Sequence, residues 1–282
     1  MKFSVFTVMM PDCNIEQTVQ LLSDNQYDGV EWRFIDPDLT KSSEAPSFWG
    51  NNYSTVPASS TIEQLQYVSN LSKGFGLSQP NLASYITCGD LIATERAMKA
   101  AQQLGAPSIR IGVPSYDGTI SYQQCLADGR AYLDQVQQLA QQYKVKGAIE
   151  THHGNIACSA SAALRLVEGF DPSCIGIIYD PGNMVHEGYE HYQMGLEMIG
   201  DYLTHVHVKN ASYALLTSDD SEAAIWQVHW SAIDKGAVQW HRVIKALRAI
   251  GYDGWLSMED FSSSQSTESL LQHNISYIKS LL

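Results

Sequence analysis

Four short apolar runs in the second half of this 282-residue sequence lead into side chains that could hold a cation. In KGAIETHHG, Ala148 and Ile149 run into Glu150, and in IGIIYDPGN the run 175–179 ends at Asp180. In LTHVHVKN, strand alternation puts His205, His207 and Lys209 on one face and Val206 and Val208 on the other. In GWLSMEDF the strand ends at Glu259. Three carboxylates brought together in a partly buried site repel one another and drive their own pKa values up. A divalent cation removes that conflict. Three oxygen donors and one imidazole suit Mn2+ first, with Mg2+ and Co2+ as alternatives, and leave room for water or substrate. Zn2+ also fits, although it more usually recruits Cys or additional His.

A metal in such a place polarises a carbonyl and favours loss of a proton from the adjacent carbon of a small carbohydrate. Glu150 and Glu259, on strands expected to flank the ion, are the candidate acid–base pair for an enediolate. His152 shares the inward parity of Glu150 and is a candidate for a substrate hydroxyl, whereas His153 is read as facing away. His186 and Glu187 follow Asp180 and are placed beside the pocket, with a solvated loop as the alternative. Lys209 shares the face of His207, where it could neutralise an enediolate or hold a phosphate. Glu31, Arg33 and Arg110 are charges at barrel-interior positions and need partners. A Glu31–Arg110 or Glu31–Arg33 ion pair is the expected solution. Trp32, Trp49, Trp226 and Trp230 could stack on a sugar ring or fill the core or an oligomer contact.

Eight strands are needed to carry these groups. Candidates are residues 2–8, 29–34, 79–84, 108–113, 146–151, 175–180, 205–209 and 254–259, each short and most rich in Val, Ile or aromatics. Between them the hydrophobic period lengthens to that of a helix, as at Ala93, Ala97, Ala100 and Leu104, or Ala160, Ala163, Leu164 and Val167. Trp240, Val243, Ile244 and Leu247 repeat it, as do Leu271, Ile275, Ile278 and Leu282, and Ser159 is a candidate N-cap. Alternation of strand and helix predicts an α/β fold, a (β/α)8 TIM barrel filling residues 1–282 as a single domain. A doubly wound sheet would often carry a glycine-rich phosphate loop, and neither GxGxxG nor GxxxxGK[ST] occurs. Residues 36–60 and 211–235 break the rhythm as long connections at the predicted active rim, the second carrying Asp219, Asp220, Trp226, His229 and Trp230.

A net charge of -13 argues against nucleic-acid or anionic-membrane partners. Five scattered cysteines without CxxC spacing suit a reducing cytoplasm, and no signal-like or membrane-spanning segment is read. A homo-oligomer is compatible with this reading.

The order of motifs resembles the sugar phosphate isomerase/epimerase superfamily, the xylose isomerase-like TIM barrels. The resemblance is carried by DGVEWR (28–33), IETHHG (149–154), YDPGNMVHEG (179–188), HVHVKN (205–210) and GYDGWLSMEDF (251–261). It implies metal ligands at Glu150, Asp180, His207 and Glu259, with His207 rather than His205 as the imidazole. In the ketose 3-epimerases it also implies proton shuttling by the two glutamates. Those epimerases carry a substrate-binding His where this sequence has Asn183, which the resemblance places as a substrate contact alongside His152, His186 and Lys209, and an Arg where it has Tyr213. The superfamily includes inosose dehydratases, so a metal-dependent lyase using the same site is the alternative reading.

Overall fold

The protein is described by a computed structural model covering residues 1–217, 223–263 and 265–282. Eight parallel strands close on themselves: β1 (Lys2–Phe6), β2 (Gly29–Phe34), β4 (Leu82–Ser84), β5 (Ser108–Arg110), β6 (Lys146–Glu150), β7 (Ile175–Tyr179), β8 (Leu203–Val208) and β11 (Trp255–Met258). Closure comes from β1, which pairs with β2 on one side and with β11 on the other. A two-residue strand, β3 (Thr55–Val56), adds to the rim of β2, and β9 (Ala211–Thr217) and β10 (Ile225–Trp230) form a separate antiparallel hairpin. The barrel strands are buried on both faces, as strands covered by helices must be.

The helices are α1 (Ile15–Asp24), α2 (Ile62–Gly74), α3 (Leu91–Leu104), α4 (Tyr122–Tyr143), α5 (Ala160–Val167), α6 (Pro181–Glu187), α7 (Tyr192–Ile199), α8 (Trp240–Ala249) and α9 (Thr267–Ser280). Their starts are chemically marked. Asn14 and Thr61 each close a capping box with the Gln three residues on, and Ser159 accepts from the Ala162 amide as its sequence position predicts. The stripe Trp240, Val243, Ile244 and Leu247 is wholly buried against the barrel. Each such side chain contributes roughly 1.5–3 kcal/mol by leaving water. Leu282 lies beyond α9 and is exposed, so the predicted C-terminal stripe ends at Ile278.

The third and fourth barrel strands are shorter than their apolar runs suggest. Pro80 lacks the N–H that a longer third strand would need, and past Arg110 the chain turns so that Gly112 packs against the backbone of residues 86–88. After β7 the chain makes two short helices, α6 and α7, rather than one. The segment predicted as the second long connection is largely the β9–β10 hairpin; Asp219 and Asp220 lie outside the described residues.

One buried side chain ties that hairpin to the barrel. Asn210, directly after β8, donates to the carbonyls of Ile233 (2.6 Å) and Val238 (3.1 Å) and accepts from the amides of Ala211 (2.9 Å) and Val238 (2.8 Å). Ala211 pairs with Trp230 at the hairpin base, so this anchor also fixes where Trp230 stands. Asn210→Ala leaves several buried backbone groups without partners and should destabilise the fold by roughly 3 kcal/mol. Urea denaturation checks this: a midpoint unchanged from that of the parent protein would show that Asn210 is not an anchor.

Candidate metal centre

The strands β6, β7, β8 and β11 are consecutive neighbours in the barrel, and their C-terminal ends deliver one donor each. Glu150 is the last residue of β6, Asp180 follows β7, His207 is the penultimate residue of β8, and Glu259 follows β11. The donor atoms of the four lie within 4.8 Å of one another, and all four residues are buried. His207 Nδ1 is 2.9 Å from Glu150 Oε1, 3.4 Å from Glu259 Oε2 and 3.9 Å from Asp180 Oδ2. The four side chains named from sequence thus meet at one point. Three carboxylates and an imidazole around that point form a donor set that fits a divalent cation.

Asp180 does two jobs. Its Oδ1 accepts from the Asn183 amide at 2.9 Å, capping α6, and its Oδ2 turns to the cluster. Pro181 at the first helical position presets that turn. Gly182 permits it, because a Cβ there would sit 2.7 Å from the Cβ of Lys209. An acidic residue at a strand end can therefore be a helix cap and a candidate ligand together.

Two cations hold the acidic groups. Arg110 donates to Glu150 Oε2 at 2.8 Å, while Lys209 Nζ stands 2.7 Å from Glu259 Oε2 and 3.2 Å from Asp180 Oδ2. Burial opposes the charge of Glu150, but Arg110 and His207 hold it well below the usual carboxylate range. Burial also opposes the charge of Glu259, and Lys209 and His207 hold it down. Asp180 goes the other way. Burial, with repulsion from Glu259 and Glu150, outweighs Lys209 and pushes it up to about 7. Like charges about 4 Å apart repel by roughly 4 kcal/mol at an effective dielectric of 20.

Glu31 is the residue that sequence reasoning misplaced. It pairs with neither Arg110 nor Arg33. It lies beneath His207, with both carboxylate oxygens 3.2 Å from Nε2. Asn81 (2.8 Å) and Ser257 (2.5 Å) donate to it, and His205 Nε2 is 3.4 Å away. Burial disfavours the charge of Glu31, but His207 and His205 hold it well below the carboxylate range. Burial likewise disfavours a charged His207, and Glu31 and Glu150 outweigh it, so its pKa lies well above the usual value. A carboxylate on one ring nitrogen with the other aimed at the donor cluster is the arrangement that orients a metal-binding histidine. Alternation placed Glu31 and His207 inside the barrel, but not across from each other.

Above the cluster opens a cavity of about 640 Å3, lined in part by Trp49, Tyr85, Arg110, Glu150, His152, His153, Lys209, Trp230, Glu259 and Phe261. Both long connections reach it, through Trp49 and Trp230. Trp32 is core and Trp226 is exposed on the hairpin. His152 and Lys209 are on the wall as expected. Asn183 and His186, expected to touch substrate, are not. Asn183 is fully buried, donating to Asp180 Oδ2 at 2.7 Å and accepting from Lys209 at 3.1 Å. His186 stacks behind His153, with ring centroids 4.0 Å apart. His153, read as facing away, lines the cavity because β6 ends at Glu150 and alternation stops there. Tyr213 is half exposed on the hairpin and donates to the Val185 carbonyl.

The Xylose isomerase-like TIM barrel family profile matches residues 19–281. The chain belongs to the xylose isomerase-like TIM-barrel family. An inosose dehydratase of Geobacillus kaustophilus is 24% identical over 146 residues, 50% of this chain and 46% of that protein. The chain matches less than half the length of such curated relatives. By structure it resembles 3-keto-D-glucoside 4-epimerase from E. coli, with a TM-score of 0.72 at 16% identity, over 99% of both chains. It also resembles an IolI protein with a bound zinc atom, with a TM-score of 0.71 at 14% identity, over 100% of this chain and 96% of the other. At these identities the structural likenesses establish the fold. Among the described residues no helix is long and apolar enough to cross a membrane, and the cysteines are free.

Two predictions follow from this geometry. Protons compete with a metal ion for Asp180 and His207, so as pH falls through 7 the apparent dissociation constant should rise roughly tenfold or more per unit. Titration of Mn2+ at several pH values checks the sign, and a pH-independent affinity would contradict it. Glu31→Gln should weaken metal affinity by about 10–100-fold by removing the carboxylate on Nε2. A competition titration with a fluorescent chelator that found no loss would show that Glu31 does not position His207.

Proposed function

We propose that this chain is a divalent-metal-dependent isomerase or epimerase of a small sugar or sugar phosphate, with Glu150 and Glu259 as its acid–base pair. The observation that carries the reading is the convergence of Glu150, Asp180, His207 and Glu259 in one cluster, from which Glu150 and Glu259 reach the wall of a cavity large enough for a sugar. These four residues would hold the ion, for which Mn2+ is the first choice by donor type, and a bound zinc in one structural relative supports a metal at this kind of site. When bound, the ion supplies Lewis-acid polarisation of a substrate carbonyl.

The protein's own groups account for the proton traffic. Glu150 and Glu259 both reach the cavity wall, and neighbouring cations keep both ionised at neutral pH, the state a general base requires. Lys209 stays protonated, because Asp180 and Glu259 outweigh the cost of its burial. At 2.7 Å from Glu259 it keeps that carboxylate ionised and is placed to offset negative charge on a reacting oxygen. Trp49, Trp230 and Phe261 give the cavity an aromatic wall suited to the apolar face of a sugar ring.

A dehydratase using the same proton abstraction is the second reading, favoured by the curated relatives named inosose dehydratase. Asn183 and Tyr213, where ketose 3-epimerases have His and Arg, weigh against that particular epimerase reaction. The two reactions part at one atom count: an isomer keeps the substrate's mass, and a dehydration product is lighter by one water. We expect an isomer-resolved screen of ketoses, their phosphates and inososes, run with Mn2+, Co2+ and Mg2+, to yield a product of unchanged mass. A product lighter by one water would move the assignment to the lyase. Glu259→Gln should lower kcat by roughly 10²–10⁴-fold. Full activity in that variant, or in protein stripped of metal, would sink the proposal.

A further inference from the structure

The β9–β10 hairpin leaves the barrel beside the cavity, and its two halves differ in cover. In its ladder Trp230 lies opposite Ala211, Val228 opposite Tyr213 and Trp226 opposite Leu215. The half next to the barrel is held by its own chain: Val228 packs on the core, and Tyr213 donates to the Val185 carbonyl of α6. The outer half is not. Leu215, Leu216, Ile225 and Trp226 are between 47% and 64% exposed. None of these four lines the cavity above the donor cluster, so they stand outside the carbohydrate site.

Alternation along each strand puts Leu215 and Trp226 on one face of the ribbon and Leu216 and Ile225 on the other. A ribbon lying on its own barrel needs one apolar face, whereas an arm gripped by a second molecule needs two. A two-stranded ribbon without cover is also marginally stable in water. With half-exposed Tyr213, these side chains offer on the order of 500 Å2, taking roughly 150–250 Å2 for a large side chain. That is more than half of the roughly 800 Å2 that each partner buries in a stable pair.

Charge decides the occupant. The chain carries a net charge of -13, yet neither ASYALLT nor IWQVHW contains Asp, Glu, Lys or Arg. Asp219, Asp220 and Glu222 fall between the two strands in sequence. Two copies of so acidic a chain repel one another over much of their surface. An uncharged arm is where they can meet without bringing like charges together. The other apolar groove, between α1 and α2, is edged by Glu16 and Glu63 and would oppose carboxylates across a two-fold axis.

We propose that the outer half of this hairpin, through Leu215, Leu216, Ile225 and Trp226, is the contact by which two copies of the chain pair about a two-fold axis. Trp230 at the hairpin base stands in the cavity wall, so pairing also braces that wall. The inference does not depend on the reaction proposed above.

Sedimentation of the full chain across the micromolar range tests it. The parent protein should sediment at twice the 31.2 kDa of one chain. Trp226→Glu and Leu215→Glu, both at exposed positions, should each weaken pairing by about tenfold or more. Ile62→Glu, at the exposed start of α2, should leave pairing unchanged. If a glutamate variant does not fold, Trp226→Ser removes the apolar surface without adding charge and carries the same expectation. Added salt should tighten the pair, because it screens the repulsion between two acidic chains and leaves an apolar contact intact. A monomeric parent protein would leave the arm to a different partner and overturn the inference. So would pairing that survives Trp226→Glu and Leu215→Glu together, an equal loss in Ile62→Glu, or a pair that salt dissolves.

Discussion

Mutual repulsion among Glu150, Asp180 and Glu259 is the constraint around which the open end of this barrel is arranged. Each is buried, so none can rely on water to screen it, and the donor atoms lie within 4.8 Å of one another and of His207. Arg110 and Lys209 relieve part of the repulsion, at Glu150 and Glu259. The remainder falls on Asp180, whose carboxyl is pushed up to about 7 by burial and by the two glutamates. A cluster that keeps one carboxylate near its protonation midpoint is poised to exchange that proton for a cation.

The fold supplies the geometry with little to spare. Four neighbouring strands end at one level, and a helix starting directly after Asp180 fixes that side chain through its cap. Gly182 lets α6 begin against Lys209, and Asn183 fills the gap between them, bonded to both Asp180 and Lys209. Beneath, Glu31 holds the imidazole through Nε2 and leaves Nδ1 to the cluster. The candidate metal donors, their cationic partners and the carboxylate beneath His207 thus form one connected network, and the cavity with its aromatic wall lies above it.

Much of this was legible in the chain. Strand ends falling on Glu150, Asp180, His207 and Glu259 required only period-two alternation and the convergence of a closed barrel, and family resemblance agreed residue by residue. What escaped was anything that depends on which interior residues face one another across the barrel. Glu31 has the parity of an interior charge, and an arginine is the usual partner, but pairing across the barrel brings it under His207. His153 was misread because alternation holds only while the strand lasts, and β6 stops at Glu150. Asn183 looked like a substrate contact by its position after Asp180, yet the helix cap turns it inward. The β9–β10 hairpin was hidden because its strands are exposed on both faces and carry no clear buried stripe.

The central claim is that one divalent ion binds where these four side chains meet, held in place through Glu31. Crystals grown with Mn2+ and measured near the manganese absorption edge test it directly. The account predicts one strong anomalous peak per chain, in contact with Glu150, Asp180, His207 Nδ1 and Glu259. No peak at that position, or a peak on the Glu31–His205 side of the His207 ring, would contradict it.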